Sequence, residues 1–130
     1  MRTMFLSGLL AFALVVTIQS IGEAQTKEDK SKKNLTYSSD AGPIIKRYCL
    51  PCHLEENENP SGLALDDYER LIKGGNHGNT VVPGKPKESN LYLKLTQTPP
   101  FGKQMARNKK KLSEEEVKTI YEWIEQGAKK

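Results

Sequence analysis

Apolar positions in this chain fall into one continuous block near the start and then into short, helix-spaced groups separated by polar turns. The block is residues 4–18, broken only by Ser7, Gly8 and Thr17, with Arg2 before it and Gly22-Glu23-Ala24 after it. A positive start, an apolar run and small residues at its end make the pattern of a secretory signal, so residues 1–24 are expected to be a cleaved signal peptide. The competing expectation is an uncleaved anchor. Residues 3–22 come near the roughly 20 residues of a spanning helix, although Gln19 and Ser20 weaken the end of the run. Residues 25–39 then mix Lys, Glu, Asp, Ser and Asn, with Leu35 and Tyr37 as the only large apolar residues. So little apolar surface cannot offset chain entropy, which predicts a disordered tether over 25–39 and a domain over 40–130.

The remaining pattern predicts four short helices. Ser39 or Asp40 can cap the first, over residues 41–48, with Pro43 in its first turn and Ile44, Ile45 and Tyr48 on one face. Asp66 or Asp67 can cap a second that runs through Lys73 and stops at Gly74-Gly75. After the extended crossing Val81-Val82-Pro83-Gly84-Lys85-Pro86, Ser89 can cap a third through Leu95, with Leu91, Tyr92 and Leu95 aligned. An open loop over 98–111 leads to the most strongly encoded helix. Ser113 and Glu116 form a capping box, Leu112 and Val117 can staple across it, and Glu114 to Glu116 suit the helix N-terminus. Val117, Ile120, Tyr121 and Ile124 recur at helical spacing, Trp123 widens the face, and Gly127 ends it. No strand or internal repeat emerges, and the expected fold class is all-α.

Length and charge narrow the function. A chain of 130 residues that loses a signal can build one small domain. The formal charge is +4 and dispersed, without the dense Lys/Arg face that nucleic-acid binding needs. Paired catalytic carboxylates, a Ser/His/Asp arrangement and a phosphate-cradling Gly loop are all missing, so hydrolase and nucleotide chemistry lack their parts.

Candidate chemistry centres on Cys49-Leu50-Pro51-Cys52-His53, which contains both cysteines of the chain. Cys-x-x-Cys-His is the attachment sequence of c-type haem. Two thiols three residues apart can reach the two vinyl groups on one porphyrin edge, and the adjacent histidine lies under the ring, aimed at the iron. Cys49 and Cys52 are therefore expected to hold one covalent haem c, with His53 as an axial ligand. The second ring nitrogen of His53 is expected to donate to a backbone carbonyl that the sequence does not identify. A thiol-disulfide or zinc module is the competing use of the cysteines; it lacks the βαβ setting of a thioredoxin-like motif, and contiguous Cys52 and His53 make a tetrahedral site with His77 awkward. Tyr48, Tyr121 and Trp123 are candidates for porphyrin contact or for plain core. Arg107 with Lys109-Lys110-Lys111 reads either as a docking patch for an acidic partner or as a solvated face.

The motif behind an N-terminal helix, the methionine Met105 in a late loop and the amphipathic last helix together resemble the class I cytochrome c family. More narrowly, residues 61–66 (Ser-Gly-Leu-Ala-Leu-Asp), Gly74-Gly75, Val82-Pro83-Gly84-Lys85-Pro86, Ser89-Asn90-Leu91-Tyr92, residues 112–116 and residues 123–128 resemble the planctomycete-type cytochrome c domain. The resemblance implies about four short helices around a covalent haem, with Met105 as the second axial ligand of the iron. The family usually has proline after this methionine, where this chain has Ala106. His77 is the rival ligand, and a methionine that only fills a gap is the other alternative. The implied function is that of an exported mono-haem electron carrier, periplasmic or at the cell surface. It would be an electron-transfer protein rather than an enzyme, serving redox partner proteins and touching a membrane only if the signal is an uncleaved anchor. A haem-based ligand sensor or peroxidase-like protein with an open distal site is the alternative.

Overall fold

The computed structural model describes residues 33–50, 52–57, 59–107 and 111–130, so the signal and anchor expectations for residues 1–24 lie outside the described residues. Helical structure begins earlier than Ser39 or Asp40. The Thr36 hydroxyl accepts from the Ser39 N–H at 3.2 Å, and the Asp40 carboxylate reaches back to the Thr36 N–H at 3.0 Å. This reciprocal pair satisfies N–H groups that a helix start leaves without partners. It opens a π-helical turn, Tyr37–Ala41, that runs directly into α1, Gly42–Cys49.

The tether expectation for 25–39 therefore needs correcting from Lys33 onward. Leu35 and Tyr37 are buried. The Tyr37 ring meets Tyr68 edge-on at 5.5 Å and lies 6.2 Å from Trp123. What local composition lacks, distant partners supply. The Tyr37 N–H donates to the Lys129 carbonyl at 2.8 Å, and the Leu35 N–H donates to Gln126 Oε1 at 2.9 Å. Burying a side chain such as Leu35 contributes about 1.5–3 kcal/mol.

The later elements follow their caps. In α2, Tyr68–Lys73, Asp67 accepts from the Arg70 N–H at 2.9 Å, and Gly74 ends the helix at φ 80°, a conformation that favours glycine. A 3-10 turn, Pro86–Glu88, precedes α3, Asn90–Leu93, which is shorter than the expected run to Leu95. Ser89 flanks α3 without capping it. Its hydroxyl accepts from the Val82 N–H at 2.8 Å and donates to the Lys85 carbonyl at 2.9 Å, fastening the extended crossing instead. The last helix, α4, Glu114–Glu125, carries both bonds of the expected capping box.

Trp123, Ile120 and Ile124 of α4 form a fully buried core with Ile45 of α1 and Leu71 of α2. The Trp123 indole donates to the Lys129 carbonyl at 2.8 Å, and the Tyr68 hydroxyl donates to the Ala128 carbonyl at 2.9 Å. Among the described residues the secondary structure is helical, with an isolated bridge between Gly75 and Gly78 and no strand, in keeping with the all-α expectation. No described helix is long and apolar enough to cross a membrane.

Candidate functional site

Helix α1 delivers Cys49 as its last residue, and Leu50 leaves the helix in an extended conformation. The His53 N–H then donates back to the Cys49 carbonyl at 3.2 Å, so one turn of chain brings Cys49, Cys52 and His53 together. Cys49 is half-buried, Cys52 is exposed, and they are not joined in a disulfide. Pro51 lies outside the described residues.

His53 is fixed by its backbone and by its ring. Its carbonyl accepts from the Leu65 N–H at 2.7 Å, and Leu65 is anchored in the core. Its ring Nδ1 lies 3.0 Å from the Leu63 carbonyl. A carbonyl can only accept, so Nδ1 carries the hydrogen, which in the neutral imidazole leaves Nε2 with the lone pair that a metal requires. The Leu63 carbonyl is the partner that sequence reasoning left unnamed. Backbone oxygens have no signature in a sequence, and this one is ten residues away.

The loop that presents Leu63 is built on Asn59. Its Oδ1 accepts from the Ser61 N–H at 3.1 Å and from the Ser61 hydroxyl, while its Nδ2 donates to the Leu63 carbonyl at 3.1 Å. Gly75 backs this loop: a Cβ there would lie 2.6 Å from the Ser61 carbonyl oxygen and 2.9 Å from Leu63 Cβ. The Asn76 N–H also donates to that Ser61 carbonyl at 2.8 Å. Arg70 ties the preceding segment to α2 through Glu55, Asp66 at 2.9 Å and Asp67 at 2.5 Å.

Met105 and His77 sit on separate segments. The half-buried Met105 is held by its N–H, which donates to the Lys94 carbonyl at 2.8 Å just after α3, and Gln104 donates to the Leu95 carbonyl at 2.8 Å. The Lys94 ammonium donates to the Phe101 carbonyl and lies 4.5 Å from the Phe101 ring centroid. Burial, aided by the nearby Arg107 charge, pushes the Lys94 pKa down. His77 is exposed, and its ring stacks on Phe101 at 4.5 Å. Arg107 and Lys111 are exposed, whereas Lys109 and Lys110 of the expected docking patch lie outside the described residues.

Each aromatic candidate has a place within the protein itself. Trp123 is core. Tyr48 donates its hydroxyl to Glu116 at 2.8 Å, tying the end of α1 to the start of α4, and this hydrogen bond raises its pKa. Tyr121 packs edge-on against Tyr92 at 5.1 Å.

The arrangement fits the group that the motif implies. Two unlinked thiols stand just before a histidine whose Nδ1 is paired with a backbone carbonyl. Ile44, Leu50, Leu63, Tyr92 and Leu95 pack on the core while remaining only partly buried, which leaves apolar surface for a porphyrin to cover. Among the described residues no group of three His, Cys, Asp or Glu side chains could hold a metal ion, so the zinc reading gains no ligand set.

Residues 49–102 match the family model of planctomycete cytochrome C, which bears out the narrower of the two resemblances. The match starts at Cys49 and takes in Cys52, His53, Asn59, Leu63 and His77; Met105 and α4 lie beyond it. No curated protein and no solved structure matches the chain.

Proposed function

With residues 49–102 assigned to the planctomycete cytochrome C family, we propose that the protein is an exported mono-haem c-type cytochrome that carries single electrons between redox partner proteins. The observation that carries the proposal is the His53 ring, turned by the Leu63 carbonyl so that Nε2 remains a ligand, within one chain turn of Cys49 and Cys52. In this reading Cys49 and Cys52 hold haem c through thioethers and His53 ligates its iron. Haem c, when bound, supplies a one-electron centre.

The protein's own residues position and tune. Leu65 and Leu63 hold His53 in place, and the Leu63 carbonyl strengthens the imidazole as a donor by sharing its proton. Met105 is the proposed distal ligand. Its backbone is fixed to the end of α3, and a neutral thioether there would favour ferrous iron. His77, whose ring is stacked on Phe101, is the less suitable donor. If His53 and Met105 both hold the iron, the work left to the protein would be docking and potential setting, and the net positive charge favours an acidic partner.

Absorption spectra of the purified, exported protein in both redox states, with a pyridine haemochrome assay, test the proposal. One covalent haem and a six-coordinate low-spin spectrum are expected. Met105→Ala should abolish the weak long-wavelength sulfur-to-iron band of the ferric form and lower the reduction potential, while His77→Ala leaves both in place. Absence of covalent haem after export with a cytochrome maturation system overturns the reading. A wild-type spectrum of an open distal site would favour the sensor or peroxidase-like alternative.

A further inference from the structure

The Leu63 carbonyl accepts two hydrogen bonds, from His53 Nδ1 at 3.0 Å and from Asn59 Nδ2 at 3.1 Å. From this shared acceptor we infer that Asn59 is a positioning residue for His53, setting through the Leu63 carbonyl how strongly the imidazole donates to iron. The inference rests on the proposed role of His53 as an axial ligand.

The physical basis is competition for one oxygen. A carbonyl has two lone pairs but one pool of electron density, and each donor that binds it withdraws some. The stronger the His53 bond, the more imidazolate character the ring gains and the more it favours ferric iron. Asn59 takes part of the same carbonyl, so it limits that push and holds the centre toward the ferrous side. It also controls where the carbonyl points, because the other end of its side chain grips the Ser61 N–H at 3.1 Å. The Gly75 backbone lies too close behind this loop to admit even a methyl group, so the loop cannot shift backward when the carboxamide is removed.

Asn59→Ser separates the two arms of the side chain. A serine hydroxyl can replace the turn acceptor for the Ser61 N–H, since Asx and Ser/Thr turns are interchangeable in kind, but it is too short to reach the Leu63 carbonyl and adds no charge. In the holoprotein the His53 Nδ1–H resonance should move downfield as its bond strengthens. At a fixed ambient potential the ferric-to-ferrous ratio should rise about threefold, which is ~28 mV at 59 mV per tenfold for one electron. Asn59→Ala, which also loses the turn, should speed solvent exchange of that ring proton.

Wild-type values of both potential and ring-proton shift in Asn59→Ser overturn the inference, and so does an upfield shift, which would report simple loosening of the loop. If Asn59→Ser does not mature, proton exchange in the wild-type holoprotein decides. The Asn59 carboxamide protons should be protected, and exchange at the rate of a free asparagine overturns the inference. Failure here with haem still ligated by His53 leaves the proposed function intact, whereas wild-type protein without haem defeats that function itself.

Discussion

Replacing Ser89 by alanine should destabilise the domain by about 2 kcal/mol, although the residue touches no part of the candidate site. Its side chain is fully buried. The hydroxyl accepts from the Val82 N–H at 2.8 Å and donates to the Lys85 carbonyl at 2.9 Å. The Lys85 carbonyl keeps the Glu88 N–H, 3.1 Å away, as a second partner, so alanine leaves it satisfied. The Val82 N–H loses its acceptor, and a buried donor without one costs about 1–3 kcal/mol. The space of one oxygen atom is too small for a water molecule to repair the loss. For a domain of this size the change amounts to a fall in melting temperature on the order of 10 °C. Guanidinium melts of the holoprotein, followed by far-UV circular dichroism, should show a lower midpoint at unchanged slope. The exposed Ser38→Ala is the control and should stay within about 0.5 kcal/mol. Ser89→Asp separates this bridge from helix capping. Asp is as good as Ser at an N-cap, but here it would set a carboxylate against the Lys85 carbonyl, so it should be worse than alanine. A Ser89→Ala protein within about 0.5 kcal/mol of wild type, or Ser89→Asp at full stability, would refute the reasoning.

Two further expectations concern pH. The Lys33 hydrogen bond, helped by the Thr36 N–H and Ser39, lowers the Asp40 pKa from 3.8 to about 2. Asp40→Asn should therefore cost about 1 kcal/mol at neutral pH, allowing for solvent screening at the exposed Lys33. Because the folded value is the lower one, this difference is complete above pH 3.8 and disappears as pH falls toward about 2, which acid unfolding of the two proteins will show. Tyr48 should ionise above the ordinary 10.0 because its hydroxyl donates to Glu116. Glu116→Gln should bring it back toward 10.0 in an alkaline absorbance titration. As the folded value is the higher one, the stabilising contribution is present below pH 10.0 and lost as pH rises through the raised pKa.

What could be read in advance depended on how local its cause was. Helix α4 was legible to its first residue because Ser113 and Glu116 bond to each other's backbone across three positions. The Cys49-to-His53 motif was legible because the chemistry it implies needs adjacent residues. Serine before a helix usually caps it, but the residues that claim the Ser89 hydroxyl are Val82 and Lys85, held there by the proline-limited crossing. Leu35 and Tyr37 looked too sparse to order a segment because their partners lie about 90 residues further along the chain. The His53 partner was a backbone carbonyl, placed by an asparagine whose role emerges only when its loop closes.

The pairing of Leu35 and Tyr37 with Gln126 and Lys129 makes the two edges of the domain one unit of resistance to proteolysis. A cut that released Lys129 would take the acceptor from both the Tyr37 N–H and the Trp123 indole, loosening the N-terminal segment as well. A cut that released Tyr37 would in turn uncover Tyr68 and Trp123, against which its ring packs. Proteases need a locally opened backbone, and neither edge can open while the other holds it. Degradation should therefore proceed without a stable trimmed intermediate: intact domain and small peptides in the same digest, with little in between.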